Sequence, residues 1–156
     1  DAIFITVPDN AITEVYRQVA EFEIQDKYIC HCSGACTAEE AFPGIHAQGA
    51  YAISIHLLFP ISSKYNCWRE LAGAFFCVEG DAQAVEVFVP LLRGLGLQVQ
   101  TISPESKAQY HLSCALASNF VCALVQRSAE LLSGCGFSER THCTRLRRSC
   151  GAIWRM

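Results

Sequence analysis

Positive charge is too scarce in this chain to coat a polyanion: twelve lysines and arginines against fifteen aspartates and glutamates leave a formal net charge of -3. Neutralising nucleic-acid phosphates takes a basic face, so nucleic acid is not an expected partner. No apolar run approaches a bilayer-spanning length without meeting a charge or an amide, so no membrane partner is expected either. No basic-then-apolar leader opens the chain. Nucleotide and hydrolase signatures are also missing. A dinucleotide fold uses G-x-G-x-x-G between its first strand and first helix, so that backbone can approach the pyrophosphate. Here Gly94-Leu95-Gly96 is followed by Val99 where the third glycine belongs, and it leads from a helix into a strand. There is no Walker loop, HExxH or G-x-S-x-G. Cys30, His31, Cys32 and Cys36 cluster, but on a strand Cys30 and Cys32 point away from His31, and no second pair follows at finger-like spacing. No metal site is expected.

What is present is apolar: 51% of the 156 residues are hydrophobic, enough for one domain with a real core. The ten cysteines lie mostly inside apolar segments. Cys30, Cys77, Cys114 and Cys122 read as small hydrophobes in a reducing cytoplasm rather than as a disulfide framework.

Apolar, β-branched Asp1 to Val7 predicts a strand buried on both faces of a parallel sheet. Pro8-Asp9 breaks it, and Asp9 is placed to cap a helix with Ile12, Val15, Tyr16, Val19 and Phe22 at helical spacing. A second strand, Lys27 to His31, ends in Cys32-Ser33-Gly34 and leads to a helical stretch from Thr37 to Gln48. Tyr51 to His56 is a third strand, followed by a Pro60-containing loop to about Glu70. Phe75 to Val78 is a fourth. Asp81 is placed to cap a helix that Pro90 should kink, and Leu97 to Ile102 is a fifth strand. Alternation of this kind means an α/β sheet covered on both faces, with ligands beyond the carboxyl ends of its strands. Those ends are Val7-Pro8-Asp9, His31 to Gly34, and His56. Singly each is ordinary turn chemistry, and a lone strand histidine such as His56 is more often a core residue than a catalyst.

Ser103 to Gly136 reads as one long helix, capped by Ser103 and Pro104 and closed by glycine. Tyr110, Leu112, Leu116, Phe120, Leu124 and Leu131 cover most of its circumference, which predicts a buried helix. At about 100° per residue, Lys107, His111, Cys114 and Ser118 fall on one line with Asn119 at its flank. Polar groups in an apolar helix need partners, from neighbouring elements or from a ligand. This stripe is the expected second wall of the crevice.

The motifs VPDNAI (Val7 to Ile12), HCSGA (His31 to Ala35), SIHLLFP (Ser54 to Pro60), FCVEGD (Phe76 to Asp81) and KAQYHLSCALASN (Lys107 to Asn119) resemble, in order, the Rossmann-like proteins whose C-terminal part is the domain of unknown function 2520. That family is related to pyrroline-5-carboxylate and ketopantoate reductases. The resemblance covers about residues 1–139. It implies a partial NAD(P)-binding domain over residues 1–102, the second half of a Rossmann-type parallel sheet, with the first βαβ unit and its glycine fingerprint preceding the chain. An all-helical domain over residues 103–139 would follow and dimerise through helix 103–136. It further implies that Val7, Pro8, Asp9, Ser33 and Gly34 line the nicotinamide side of NADP or NAD, and that His56 binds substrate. Lys107, His111, Ser118 and Asn119 would serve catalysis. Leu57 departs from the family's usual Pro after the histidine.

Arg140, Arg145, Arg147, Arg148 and Arg155 supply five of the twelve basic residues, in a stretch without helical or strand period. Residues 140–156 read either as a basic arm or as frameshifted translation, since permitted codons in a shifted frame yield an amphipathic helix former. The expectation is a fragment of an NAD(P)-dependent oxidoreductase of small carbonyl, imine or hydroxy compounds. The alternative is a non-catalytic nucleotide-binding sensor or dimerisation module.

Overall fold

The computed structural model describes residues 1–59, 65 and 67–137. The atypical tail over 140–156 therefore lies outside the described residues, as does most of the Pro60 loop. The chain divides into two compact units, Asp1–His111 and Leu112–Met156.

The first unit is a five-stranded, mostly parallel α/β sheet. Its strands are β1 (Ala2–Ile5), β2 (Tyr28–His31), β3 (Tyr51–Leu58), β4 (Phe75–Gly80) and β5 (Gln98–Thr101), lying side by side in that order. Helix α1 (Ile12–Val19) joins β1 to β2, the short α2 (Ala38–Ala41) follows β2, and α3 (Ala82–Gly94) joins β4 to β5. Because side chains alternate along a strand, the sheet feeds two cores. Ile5, Ile29 and Ala52 pack with Ile12, Tyr16, Ile24 and Phe42 on the α1–α2 face, and Cys30, Ile53, Ile55 and Val78 pack with Phe88 and Leu92 on the α3 face. Each buried Ile, Val, Leu or Phe among them contributes about 1.5–3 kcal/mol by leaving water. Tyr16 is buried in the first core with no partner for its hydroxyl among the described residues. Tyr16→Phe is therefore expected to leave stability unchanged or raise it by about 1 kcal/mol in urea unfolding, since it deletes an unpaired buried hydroxyl.

Several expectations are corrected. Strand β4 runs antiparallel to β3, not parallel. A parallel return needs a long crossover, usually a helix, whereas the described residues between β3 and β4 hold only the 3-10 turn Trp68–Leu71. Strand β1 lies at the sheet edge and is not buried on both faces; Phe4 is half exposed, resting edge-on against Phe88. The stretch from Thr37 to Gln48 is not one helix. A Thr37–Glu40 capping box starts α2, but Pro43 and Gly44 at φ 80° separate it from a 3-10 turn at Ile45–Gln48. Neither Asp9 nor Asp81 caps its helix through the side chain. Asp9 accepts from Ser33 instead, and Asp81 accepts from the Ala52 amide at 2.7 Å and pairs with His46. Phe22 lies beyond α1 and is exposed.

The C-terminal helical stretch is a 3-10 turn Pro104–Ser106, α4 (Lys107–Ala115), a π-helical turn Leu116–Phe120, and α5 (Val121–Gly134). It is not buried as expected: Leu112, Leu116, Phe120, Leu124 and Leu131 are all at least half exposed. By length and composition Pro104–Gly134 is apolar enough to cross a membrane. An apolar circumference records that a helix needs cover without saying whether its own chain supplies it. Cys122 is likewise exposed, while Cys30 and Cys77 are buried.

Candidate functional site

One transverse row of the sheet is polar. His31 on β2 is in register with Ser54 on β3, and Ser54 with Glu79 on β4. All three are buried, on the α1–α2 face of the sheet. Into this row enters Lys107 from the start of α4. Its ammonium donates to Ser54 Oγ and to Glu79 Oε1, the latter at 2.7 Å, and Lys107 and Glu79 are each only 2% exposed. Glu79 Oε1 also accepts from the Ala38 amide at 2.8 Å, while Oε2 has no partner among the described residues. Burial lowers the proton affinity of Lys107 below that of an ordinary lysine, and the Glu79 carboxylate opposes that fall.

The row continues to the loops after β1 and β2. Ser54 Oγ reaches the Ser33 carbonyl at 3.3 Å, and Ser33 Oγ donates to Asp9 Oδ2 at 2.8 Å while accepting from the Ala35 and Cys36 amides. One connected set of hydrogen bonds thus runs from Asp9 through Ser33, Ser54 and Lys107 to Glu79. His31 is fully buried; its Nδ1 accepts from the Ser33 amide, and its Nε2 lies near the Thr37 carbonyl without a hydrogen bond. Burial, aided by the Lys107 charge, pushes its pKa down to about 4.

A second cluster sits over Gly34. His56 Nδ1 and the Tyr110 hydroxyl are 2.8 Å apart, and the His56 and His111 rings stand edge to face with centroids 6.1 Å apart. Burial lowers His56's proton affinity, and the neighbouring His111 and Lys107 lower it further. A Cβ on Gly34 would lie 2.5 Å from His111 Nδ1 and 2.8 Å from His56 Nε2, so both nitrogens converge where only glycine leaves room. Gly34→Ala is expected to cost about 1–3 kcal/mol as an overpacking change and to shift the imidazole resonances of both histidines. Unchanged Tm and unchanged spectra would contradict that geometry.

The first unit therefore brings together Asp9, Ser33, Gly34, His56, Lys107 and His111. Val7 and Pro8 are used differently. Val7 packs on the first core, and the Pro8 carbonyl accepts from the Ala11 amide in the turn. Ser118 and Asn119 belong to the second unit and are exposed there. Ser118 Oγ engages its own helix at the Cys114 carbonyl, 2.6 Å away, and Asn119 Oδ1. The π-helical turn interrupts the 3.6-residue period on which a stripe from Lys107 to Ser118 depends. Sequence reasoning missed Ser54, Glu79 and Tyr110 as partners. A signal existed for two of them: Ser54 stands two residues from His56 on an apolar strand, and Glu79 is the one charge in Phe75–Gly80.

Residues 74–148 match the family described as domain of unknown function 2520. That match over the C-terminal part, together with the fold, is consistent with a Rossmann-like protein carrying such a domain. A Thermotoga maritima protein of known structure superposes on 98% of this chain and 58% of its own length, with a TM-score of 0.72 at 27% identity. A Bacteroides fragilis protein assigned as an NADP oxidoreductase covers 99% of this chain and 58% of its own, with a TM-score of 0.73 at 14% identity. The reductive aminase of Aspergillus terreus, solved with NADPH and ethyl-5-oxohexanoate, covers 97% and 53%, with a TM-score of 0.65 at 15% identity. This Rossmann-like chain thus spans less than two thirds of the length of each of these relatives. No protein with a curated description matches it in sequence.

Proposed function

We propose that this chain is the larger part of an NAD(P)-dependent oxidoreductase acting on a small carbonyl, imine or hydroxy substrate. The observation that carries the reading is the buried Lys107–Glu79 pair, linked through Ser54 and Ser33 to Asp9 at the strand ends, where open α/β sheets take ligands. The fold shared with relatives whose descriptions name NADP or NADPH supports it.

The residues fit the nicotinamide end of such a cofactor. Asp9, Ser33 and Gly34 would stand against it, with Val7 and Pro8 anchoring the first loop, and Gly34 lacks the Cβ that would push the histidines aside. The sequence has no glycine fingerprint for the pyrophosphate, so this chain alone is expected to bind the dinucleotide weakly. When bound, the dinucleotide supplies a hydride, which a substrate carbonyl carbon accepts. Lys107 provides positive charge in dry surroundings, where it stabilises a developing oxyanion far better than it would in water. His111 gives the oxygen a proton from Nδ1 and recovers it from water, so that carbonyl becomes alcohol; the reverse direction oxidises a hydroxy compound. His56, tied to the Tyr110 hydroxyl, orients the substrate with Nε2. The exposed apolar residues Leu112, Leu116, Leu124 and Leu131 are assigned to a homodimer contact, and the protein to the cytoplasm.

The test joins this chain to an N-terminal βαβ unit that carries a G-x-G-x-x-G fingerprint, titrates NADPH and NADH by fluorescence, and follows cofactor oxidation over a carbonyl and imine panel. Oxidation with at least one substrate is expected. Binding without oxidation favours a nucleotide sensor, and no binding rejects both. Light scattering reads the dimer; a monomer that floats with lipid vesicles would reassign the apolar helix to a membrane.

A further inference from the structure

Glu79 is given no step in the chemistry above, yet it is the only carboxylate that touches Lys107 among the described residues. Two features of the fold work against a charge at Lys107. It is cut off from water, and it opens α4, where the helix dipole disfavours a cation. The titratable groups facing it are Glu79 and Cys77 on β4, Cys36 ahead of α2, Glu40 within it, His31 on β2 and His56 on β3. Of these, Glu79 alone combines a negative charge with direct contact and burial equal to the lysine's own.

We propose that Glu79 is the positioning residue of this site: it keeps Lys107 protonated and aims its ammonium, so that Ser54 and Glu79 take two of the three N–H groups and the third is left for the substrate. This rests on the oxidoreductase reading and deepens it. The antiparallel register builds the arrangement. Ser54 and Glu79 are direct cross-strand partners on one face, so their side chains flank the lysine from adjacent strands. Had β4 run parallel to β3, this register would not exist. Among the described residues the Glu79 carboxylate bonds only to Lys107 and the Ala38 amide, both through Oε1.

The chain contains three lysines, Lys27, Lys64 and Lys107, which makes a direct readout practical. In the 156-residue chain labelled with ¹³C-lysine, the Lys107 ε-carbon is titrated by NMR with the other two as internal standards. Glu79→Gln keeps the shape and removes the charge. It is expected to lower the Lys107 midpoint by at least about one pH unit, roughly tenfold in proton affinity, while Lys27 stays in place. Glu79→Asp should fall between the two, as the conservative rescue, and replaces Glu79→Gln as the readout if the latter does not fold. A Lys107 midpoint indifferent to both changes overturns the proposal. In the extended protein used for turnover, Glu79→Gln should lower kcat at least about tenfold with KM little changed, and move the pH profile in the same sense as the NMR midpoint. An unchanged kcat and pH profile rejects the positioning role. If the wild type oxidises no cofactor while the NMR midpoint still depends on Glu79, the oxidoreductase reading fails and the hold on the lysine's charge stands.

Discussion

Lys107→Met alone is expected to destabilise the first unit by about 3–5 kcal/mol, because it leaves the Glu79 carboxylate buried without a counter-charge. The pair is closed from solvent on both sides, so no discount for water screening applies. Changing both partners, Lys107→Met with Glu79→Leu, is expected to recover most of that loss, since an apolar pair of similar volume removes the desolvation cost along with the attraction. Recovery will stop short of complete by about 1–2 kcal/mol, because the Ala38 amide and the Ser54 hydroxyl each lose an acceptor or donor. Urea unfolding of the wild type, both singles and the double measures this directly. A single-variant cost below about 1 kcal/mol would mean that the pair is far wetter than the structure describes. With a total stability of order 5–15 kcal/mol for a domain, Lys107→Met stands near the limit of folding, so the double variant is the one in which loss of function is separable from loss of fold.

Acid should weaken the protein through His31. Its folded pKa is about 4 against an ordinary 6.5, with burial the main cause. Between those values the unfolded chain binds a proton that the folded chain refuses, so stability rises with pH across that window. The contribution is complete above pH 6.5 and disappears as the pH falls to about 4, amounting to roughly 3 kcal/mol over the interval. Glu40 also loses stability in acid, because its carboxyl is held low by the Thr37 amide and hydroxyl. The comparison that isolates His31 is therefore between wild type and His31→Gln. Gln keeps an acceptor for the Ser33 amide and has no proton to gain. Unfolding free energies at several pH values between 4 and 7 should give a steeper slope for the wild type. Parallel slopes would mean that His31 titrates normally, and hence that the row beneath Lys107 is open to water.

The parts of the fold visible in the sequence are those that local chemistry dictates. Alternating strands and helices, the Pro-Asp and Ser-Gly breaks after β1 and β2, and the polar residues at the head of an apolar helix all follow from periodicity and turn chemistry, and they placed Asp9, Ser33, His56, Lys107 and His111 near strand ends. Strand direction was not visible. Phe75–Gly80 reads equally well either way along the sheet, and only its pairing register with β3 reveals the antiparallel direction. That reversal creates the Ser54–Glu79 register, so the partners of Lys107 were hidden for the same reason. Glu79 lies 28 residues before Lys107, a separation no local period spans. The long helix was misread because hydrophobicity marks what must be covered and is silent on what covers it; Leu124 is 68% exposed where a packed face was expected. The line from Lys107 to Ser118 assumed an unbroken α-helix, and the π-helical turn at Leu116–Phe120 removes that assumption.

The claim on which the rest depends is that the polar row beneath Lys107 serves hydride transfer. It is tested most directly with NADPH deuterated at the transferable position, incubated with the carbonyl panel and the chain joined to a leading βαβ unit, with mass spectrometry of the products. Deuterium on the former carbonyl carbon is expected with the wild type, and at least about tenfold less with the folded Lys107→Met/Glu79→Leu double variant. Bound NADPH with no labelled product, or equal labelling in the double variant, would contradict it.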